Sequence, residues 1–248
     1  MPQHRPVFHK PNIRSEEQGY LASVSDVMAT LLFIFIITTM TFVLELQEAT
    51  SRASKKEKEL TDAREVRKEL MEDIKKTLDK KGITVEIDTE KGLLHIPGDI
   101  LFPSGQAHFP RGGTEEKHVR ELGEALASLL PCYCVTKEPC KKEYLPGRFD
   151  AVLIEGHTDR VKISKTNPKF EDNWDLSAAR SIATYRYLTK EFEALKNFKN
   201  TKGEHLLGVS AYEATRPRIE HNPDLNKGTP ENRRIALRFI LATPETEK

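Results

Sequence analysis

Residues 24–44 read VSDVMATLLFIFIITTMTFVL, and no other stretch limits the chain as strongly. Residues 27–44 carry no charge. At a rise of about 1.5 Å per residue they extend about 27 Å, close to the roughly 30 Å hydrocarbon core of a bilayer. The pattern predicts a membrane-spanning helix over 21–45. A cleaved signal peptide is the competing reading, since small residues follow in EATSRAS. Against it, the apolar run leads into ELQEATSRASKKEKEL, which continues as a helix.

Asp26 is the acid in this segment. One reading puts it at the headgroup boundary, in the first turn, with Ser23 or Ser25 as the cap. The other puts it within the apolar zone, facing a partner helix. There an acid costs about 2.5–3.5 kcal/mol on insertion scales and marks an ion path. Lipid favours the neutral acid, so Asp26 would bind and release a proton or a sodium ion. Thr30 lies one turn on, placed either to assist the ion or to bond its own helix carbonyls.

The remaining chain divides by composition. Residues 1–20, with three prolines and no hydrophobic period, read as a cytoplasmic tail. Residues 46–82 are densely charged, yet Leu60, Ala63, Val66, Leu70, Ile74 and Leu78 recur at three or four residues, a helical stripe. The stripe predicts a stalk, packed on a second copy or solvated as a single helix, and ended by Gly82. Residues 83–248, about 165 in number, are enough for one domain with its own core. Their alternating and periodic runs predict the order β, α, β, α, β, β. That is an α+β domain, a mixed sheet with two helices on one face. With 39 basic and 38 acidic residues, nothing points to nucleic acid.

Three cysteines cluster in CYCVTKEPC: Cys132, Cys134 and Cys140. The spacing fits no common zinc finger, and no metal site is expected. A disulfide outside the cytoplasm with one thiol left over is expected, either Cys134–Cys140 or Cys132–Cys140. No nucleophile elbow, phosphate loop or zinc-protease helix occurs, so neither an enzyme nor a bound cofactor is expected.

At IEGHTDRVKI, NWDLSAARSIATYRYL and ENRRIALRFIL, with LFPSGQAHF before them, the chain resembles the C-terminal domains of the outer-membrane-protein-A family, which bind peptidoglycan. Joined to one membrane helix bearing an Asp, the layout resembles the B subunits of stator units, flagellar and of the Zorya anti-phage type. The resemblance implies roles residue by residue. Asp159 would meet the ammonium of diaminopimelate and Arg180 its carboxylate, with Thr158, Asn173, Leu176 and Arg233 beside them. Asn173, Leu176 and Arg180 are spaced three and four apart, so they share one helix face. An Asp159–Arg180 ion pair that merely ties loop to helix is the plainer alternative. The resemblance also implies a homodimer, a multi-span partner of the motor A-subunit (MotA or ZorA) kind, and Asp26 as ion carrier. The N-terminus is placed in the cytoplasm of a bacterial inner membrane because the wall ligand and the cysteines require the C-terminal side outside. Basic residues flank the helix on both sides and do not decide it. A passive membrane-to-wall tether and a biopolymer-transport energiser are the alternatives.

Overall fold

The chain forms two compact units, Met1–Lys58 and Glu59–Lys248. The computed structural model describes residues 13–103, 105–140, 142–163, 169–224 and 227–243, with side chains from residue 23 onward. The first twelve residues of the expected tail therefore lie outside the described residues. Helix α1 covers Ile13–Asp79, so it begins within that tail segment.

In the first unit the helix is long and apolar enough to cross a membrane. Leu31, Phe33, Phe35 and Phe42 are exposed, a surface suited to lipid rather than to water. The hydroxyls of Thr38 and Thr39 donate to the carbonyls of Ile34 and Phe35, at 2.9 and 2.7 Å. This satisfies polar groups that hydrocarbon would otherwise leave unpaired.

In the second unit the helical stripe finds a different partner from the one expected. Ala63, Leu70, Met71, Ile74 and Leu78 are buried, and the last four belong to the core of the domain itself. Arg67, also buried, donates to the carbonyls of Thr89 and Glu90 at 3.0 Å each and so clamps a turn of the sheet. The domain thus begins near Glu59, not at 83, and the second half of the expected stalk is one of its layers. Gly82, at φ 79°, takes the left-handed turn after the helix.

Five strands form one mixed sheet: β1 (Glu86–Asp88), β2 (Leu93–Pro97), β3 (Phe149–His157), β4 (Leu207–Ala211) and β5 (Arg234–Leu241), in the order β1-β2-β5-β3-β4. β3 and β4 run parallel; the other neighbours are antiparallel. Helices α2 (Thr114–Leu129), α3 (Asn173–Glu191) and the short α4 (Glu193–Asn197) complete the fold. Strand alternation sorts the sheet's two faces. Ile154, Ile235, Leu237 and Phe239 join Val119, Leu122 and Leu126 of α2 in the core. The opposite face carries His95, Glu155, His157, Arg234 and Arg238. α3 meets β3 closely at Gly156, where an added Cβ would overlap the Ser177 carbonyl.

The long connection after α2 is closed by a Cys132–Cys140 disulfide, and Cys134 keeps a buried thiol.

Candidate functional site

Strand β3 ends at His157, and its last turn delivers Thr158 and Asp159, both buried. The Asp159 carboxylate is met from three directions. Its Oδ1 accepts from the Val161 N–H at 3.2 Å. Its Oδ2 accepts from the Thr229 N–H at 3.2 Å and from Arg233 Nη1 at 2.9 Å. Arg233 also reaches Asp99 with both its Nε and Nη2, at 3.2 and 3.0 Å. A ladder Asp99–Arg233–Asp159 results, and the hydrogen bonds to Asp99, then those to Asp159, hold the Arg233 guanidinium above its ordinary range. Gly228 permits the ladder: a Cβ there would sit 2.7 Å from both Arg233 Nη1 and Asp159 Oδ2.

The plainer alternative, an ion pair of Asp159 with Arg180, does not form. Among the described residues Arg233 takes that place. Arg180 instead donates from Nε to the Gln106 carbonyl at 2.9 Å and from Nη2 to that of Pro103 at 3.4 Å. Its guanidinium lies over the Phe102 ring, 5.3 Å from the centroid. Arg180 is only 4% exposed. Burial pushes it down to about 10, against the nearby pull of Asp99 and Asp159. Among the described residues no carboxylate stands in ion-pair contact with it. A buried cation held only by carbonyls and an aromatic face is poised for an anion.

Helix α3 presents Asn173, Leu176 and Arg180 from one buried face, as their spacing requires. Asn173 Nδ2 donates to the carbonyls of Asp159 and Val161, at 3.2 and 2.9 Å. It ties the loop to the helix. The helix is capped by Asp172, whose carboxylate accepts from the Trp174 and Asp175 N–H groups. Trp174 stays half exposed. The Thr158 hydroxyl is buried without a hydrogen bond among the described residues. Part of the basic loop after Asp159, residues 164–168, lies outside them.

Sequence reasoning passed over Asp99, Gly228 and Thr229. Asp99 stands in GDILFPSG, just before a motif that was read, and its acid beside a family-like loop was the available signal. Gly228 and Thr229 lie in a loop whose contacts no periodicity marks.

In the first unit, the Thr30 hydroxyl donates to the Asp26 backbone carbonyl at 2.8 Å, so it bonds the helix and not the Asp26 carboxylate.

The chain thus joins one membrane-length helix to an α+β domain, a mixed sheet with helices packed on it and a buried arginine beside a buried acid. No protein-family model matches it, and no curated protein does. Among solved structures it is similar to a MotB-like protein from Desulfovibrio vulgaris, with TM-score 0.51 and 19% identity over 74% of this chain and 98% of that one. It is also similar to the cell wall anchor of the T6SS from Pseudomonas aeruginosa (TM-score 0.44, 18% identity, 69% of this chain and 96% of that one). A third is the periplasmic domain of Helicobacter pylori MotB, residues 78–256 (TM-score 0.40, 17% identity, 60% of this chain and 75% of that one). The first of these establishes the shared fold.

Proposed function

We propose that the chain is the B subunit of a stator-type, ion-driven unit of the bacterial inner membrane, held to peptidoglycan by its second unit. In this reading Arg180 receives a carboxylate of diaminopimelate. Asp159, oriented by Arg233 and the loop amides, faces its ammonium. A zwitterionic side chain suits such a site because it brings an anion to the cation that lacks one and a cation to the acid.

At the other end, Asp26 binds a proton or sodium ion from outside, turns neutral, and releases it inward. Two copies within a multi-span partner of the motor A-subunit kind would pass the ion, and each cycle would change contacts with that partner. The membrane potential supplies about 2.3 kcal/mol per unit charge per 100 mV. The wall-held unit converts the movement into torque. No covalent chemistry or bound cofactor enters. The task we assign to the chain is anti-phage defence of the Zorya kind; flagellar or gliding movement would use the same parts.

The observation that carries the reading is the combination, in one chain, of an acid in an apolar helix and the fold of a MotB-like protein. A passive tether has no use for the acid. The test is ion uptake into vesicles holding the chain with its co-purified multi-span partner. Asp26→Asn should abolish uptake and leave wall retention unchanged. Equal uptake by the variant would remove Asp26 as the ion carrier, and no uptake by either chain would leave only the tether.

A further inference from the structure

The face of the sheet turned away from the helices holds a cleft that the wall reading does not use. It measures about 440 Å³ and opens between the sheet and the loop after β4. Lys91, Arg216, Arg218, Arg234 and Arg238 line it and outnumber its acids, Glu86 and Asp88. Several of these cations already have partners. Arg238 makes a two-pronged bond with Glu155, at 2.5 and 3.2 Å, and Arg218 pairs with Glu86. Arg234, buried, donates to His95 Nδ1 at 3.3 Å and to the carbonyls of Asn232 and Arg216 at 3.3 and 3.0 Å. Arg216 stacks on Tyr212 at 3.7 Å, a contact that uses the guanidinium face and not its N–H edge.

His157 reaches the same cleft. It is 1% exposed and stacks on Tyr212 at 5.5 Å. Its Nε2 lies 3.4 Å from Glu155 Oε2, yet among the described residues neither ring nitrogen makes a hydrogen bond of good geometry. The Glu155 carboxylate is therefore a long partner for Nε2, and Nδ1 has none among the described residues.

We propose that this cleft binds a phosphate-type oxyanion, with Arg216, Arg218 and Arg234 around it and the His95 Nε2 N–H as a further donor. The donors come from three elements: β2, β5 and the loop after β4. A planar carboxylate is satisfied by one guanidinium fork. A tetrahedral anion has oxygens for donors converging from several sides, which is what the cleft offers. Burial, then Arg234 and Arg218, hold His95 down to about 4, so its ring is neutral, accepts from Arg234 at Nδ1 and offers its Nε2 N–H. Burial also holds His157 below its usual value, against the Glu155 carboxylate that faces its Nε2.

The anion has two sources, a soluble phosphate ester or a phospholipid headgroup, and one probe reads both. The full chain carrying ¹⁵N-labelled histidine is titrated in detergent at neutral pH with inorganic phosphate and with glycerol phosphate. The His157 and His95 ring signals should move and saturate, while potassium chloride at equal ionic strength leaves them in place. Arg216 and Arg218 are exposed loop residues, so the double variant Arg216→Ala, Arg218→Ala should fold and bind at least tenfold more weakly. The same chain in phosphatidylglycerol nanodiscs, against phosphatidylcholine ones, reports the lipid source: movement without added phosphate assigns the headgroup, and movement only on titration assigns the soluble ester. No saturable movement in either arm overturns the proposal, as does equal movement with chloride or undiminished binding by the double variant. The readout is independent of wall retention, so this site and the wall site fail separately.

Discussion

Arg233, not Arg180, meets the Asp159 carboxylate, with Nη1 2.9 Å from Oδ2. The pairing divides the labour between two arginines on different elements. Arg233 follows the 3-10 turn that leads into β5 and fixes the acid; Arg180, on α3, is left as a buried cation without a carboxylate partner among the described residues. The two are therefore not interchangeable in their effects.

Arg180→Lys tests that division. Lysine keeps the charge but loses the planar fork, so the carbonyls of Gln106 and Pro103 and an incoming carboxylate compete for one ammonium. Retention on isolated peptidoglycan should fall about tenfold, on the order of 1.4 kcal/mol. Thermal unfolding should shift little, because the residue keeps its stem. Unchanged retention would remove Arg180 from the site.

Gly156→Ala addresses the frame rather than the ligand. A methyl there has no room, because the Ser177 carbonyl of α3 occupies the position. Strand and helix must part, and such overpacking costs about 1–3 kcal/mol or more. Asp159 stands three residues on, and Arg180 is on the displaced helix. Denaturant unfolding should show the loss of stability, and wall retention should fall with it.

How much of this was legible in the sequence depends on what each signal specifies. Asn173, Leu176 and Arg180 share a buried face because helical spacing alone decides that. The Leu70–Ile74–Leu78 stripe was equally legible as an apolar helix face, but a stripe states that a face is covered and not by what. It closes on the domain's own core, so the domain boundary moved from 83 to Glu59. The ladder through Asp99 was illegible for a different reason. Asp99 and Arg233 are far apart in the chain, and only the β2–β5 pairing brings their segments together, with Pro97 opposite Arg234. The cysteines left two pairings open; the fold selects Cys132–Cys140, which leaves Cys134 in the core.

His95 gives the domain a pH dependence with a definite sign. Burial first, then Arg234, Arg218 and His157, hold it down to about 4, with Asp88 opposing. Unfolded, it titrates near 6.5. Between those values the unfolded chain binds more protons, so stability is complete above about pH 6.5 and falls as the pH drops towards 4. This one group should remove about 2 kcal/mol by pH 5. His157, also held low by burial, acts in the same direction. Denaturant midpoints at pH 7.5, 6.5 and 5 should decline in that order, and His95→Gln should flatten the slope. A wild-type midpoint constant from pH 6.5 to 5 would contradict the burial of a neutral ring.

The cysteines predict a graded response to reagents. The disulfide closes a loop with a sequence separation of 8, for which chain entropy alone assigns about 2–3 kcal/mol. Reduction, or Cys140→Ser, should lower stability by that order, as read in denaturant melts. The loop has a second tie, because Lys142 bonds to Glu69 and Asp73 of α1. Reduction should therefore loosen the segment without releasing it. Cys134 is 1% exposed, and burial pushes its thiol up to about 12, so almost none is thiolate at neutral pH. A maleimide should label no cysteine in the folded, oxidised chain and one in the unfolded, oxidised chain. Rapid labelling of the folded protein would mean that Cys134, and the core around it, opens far more readily than its burial implies.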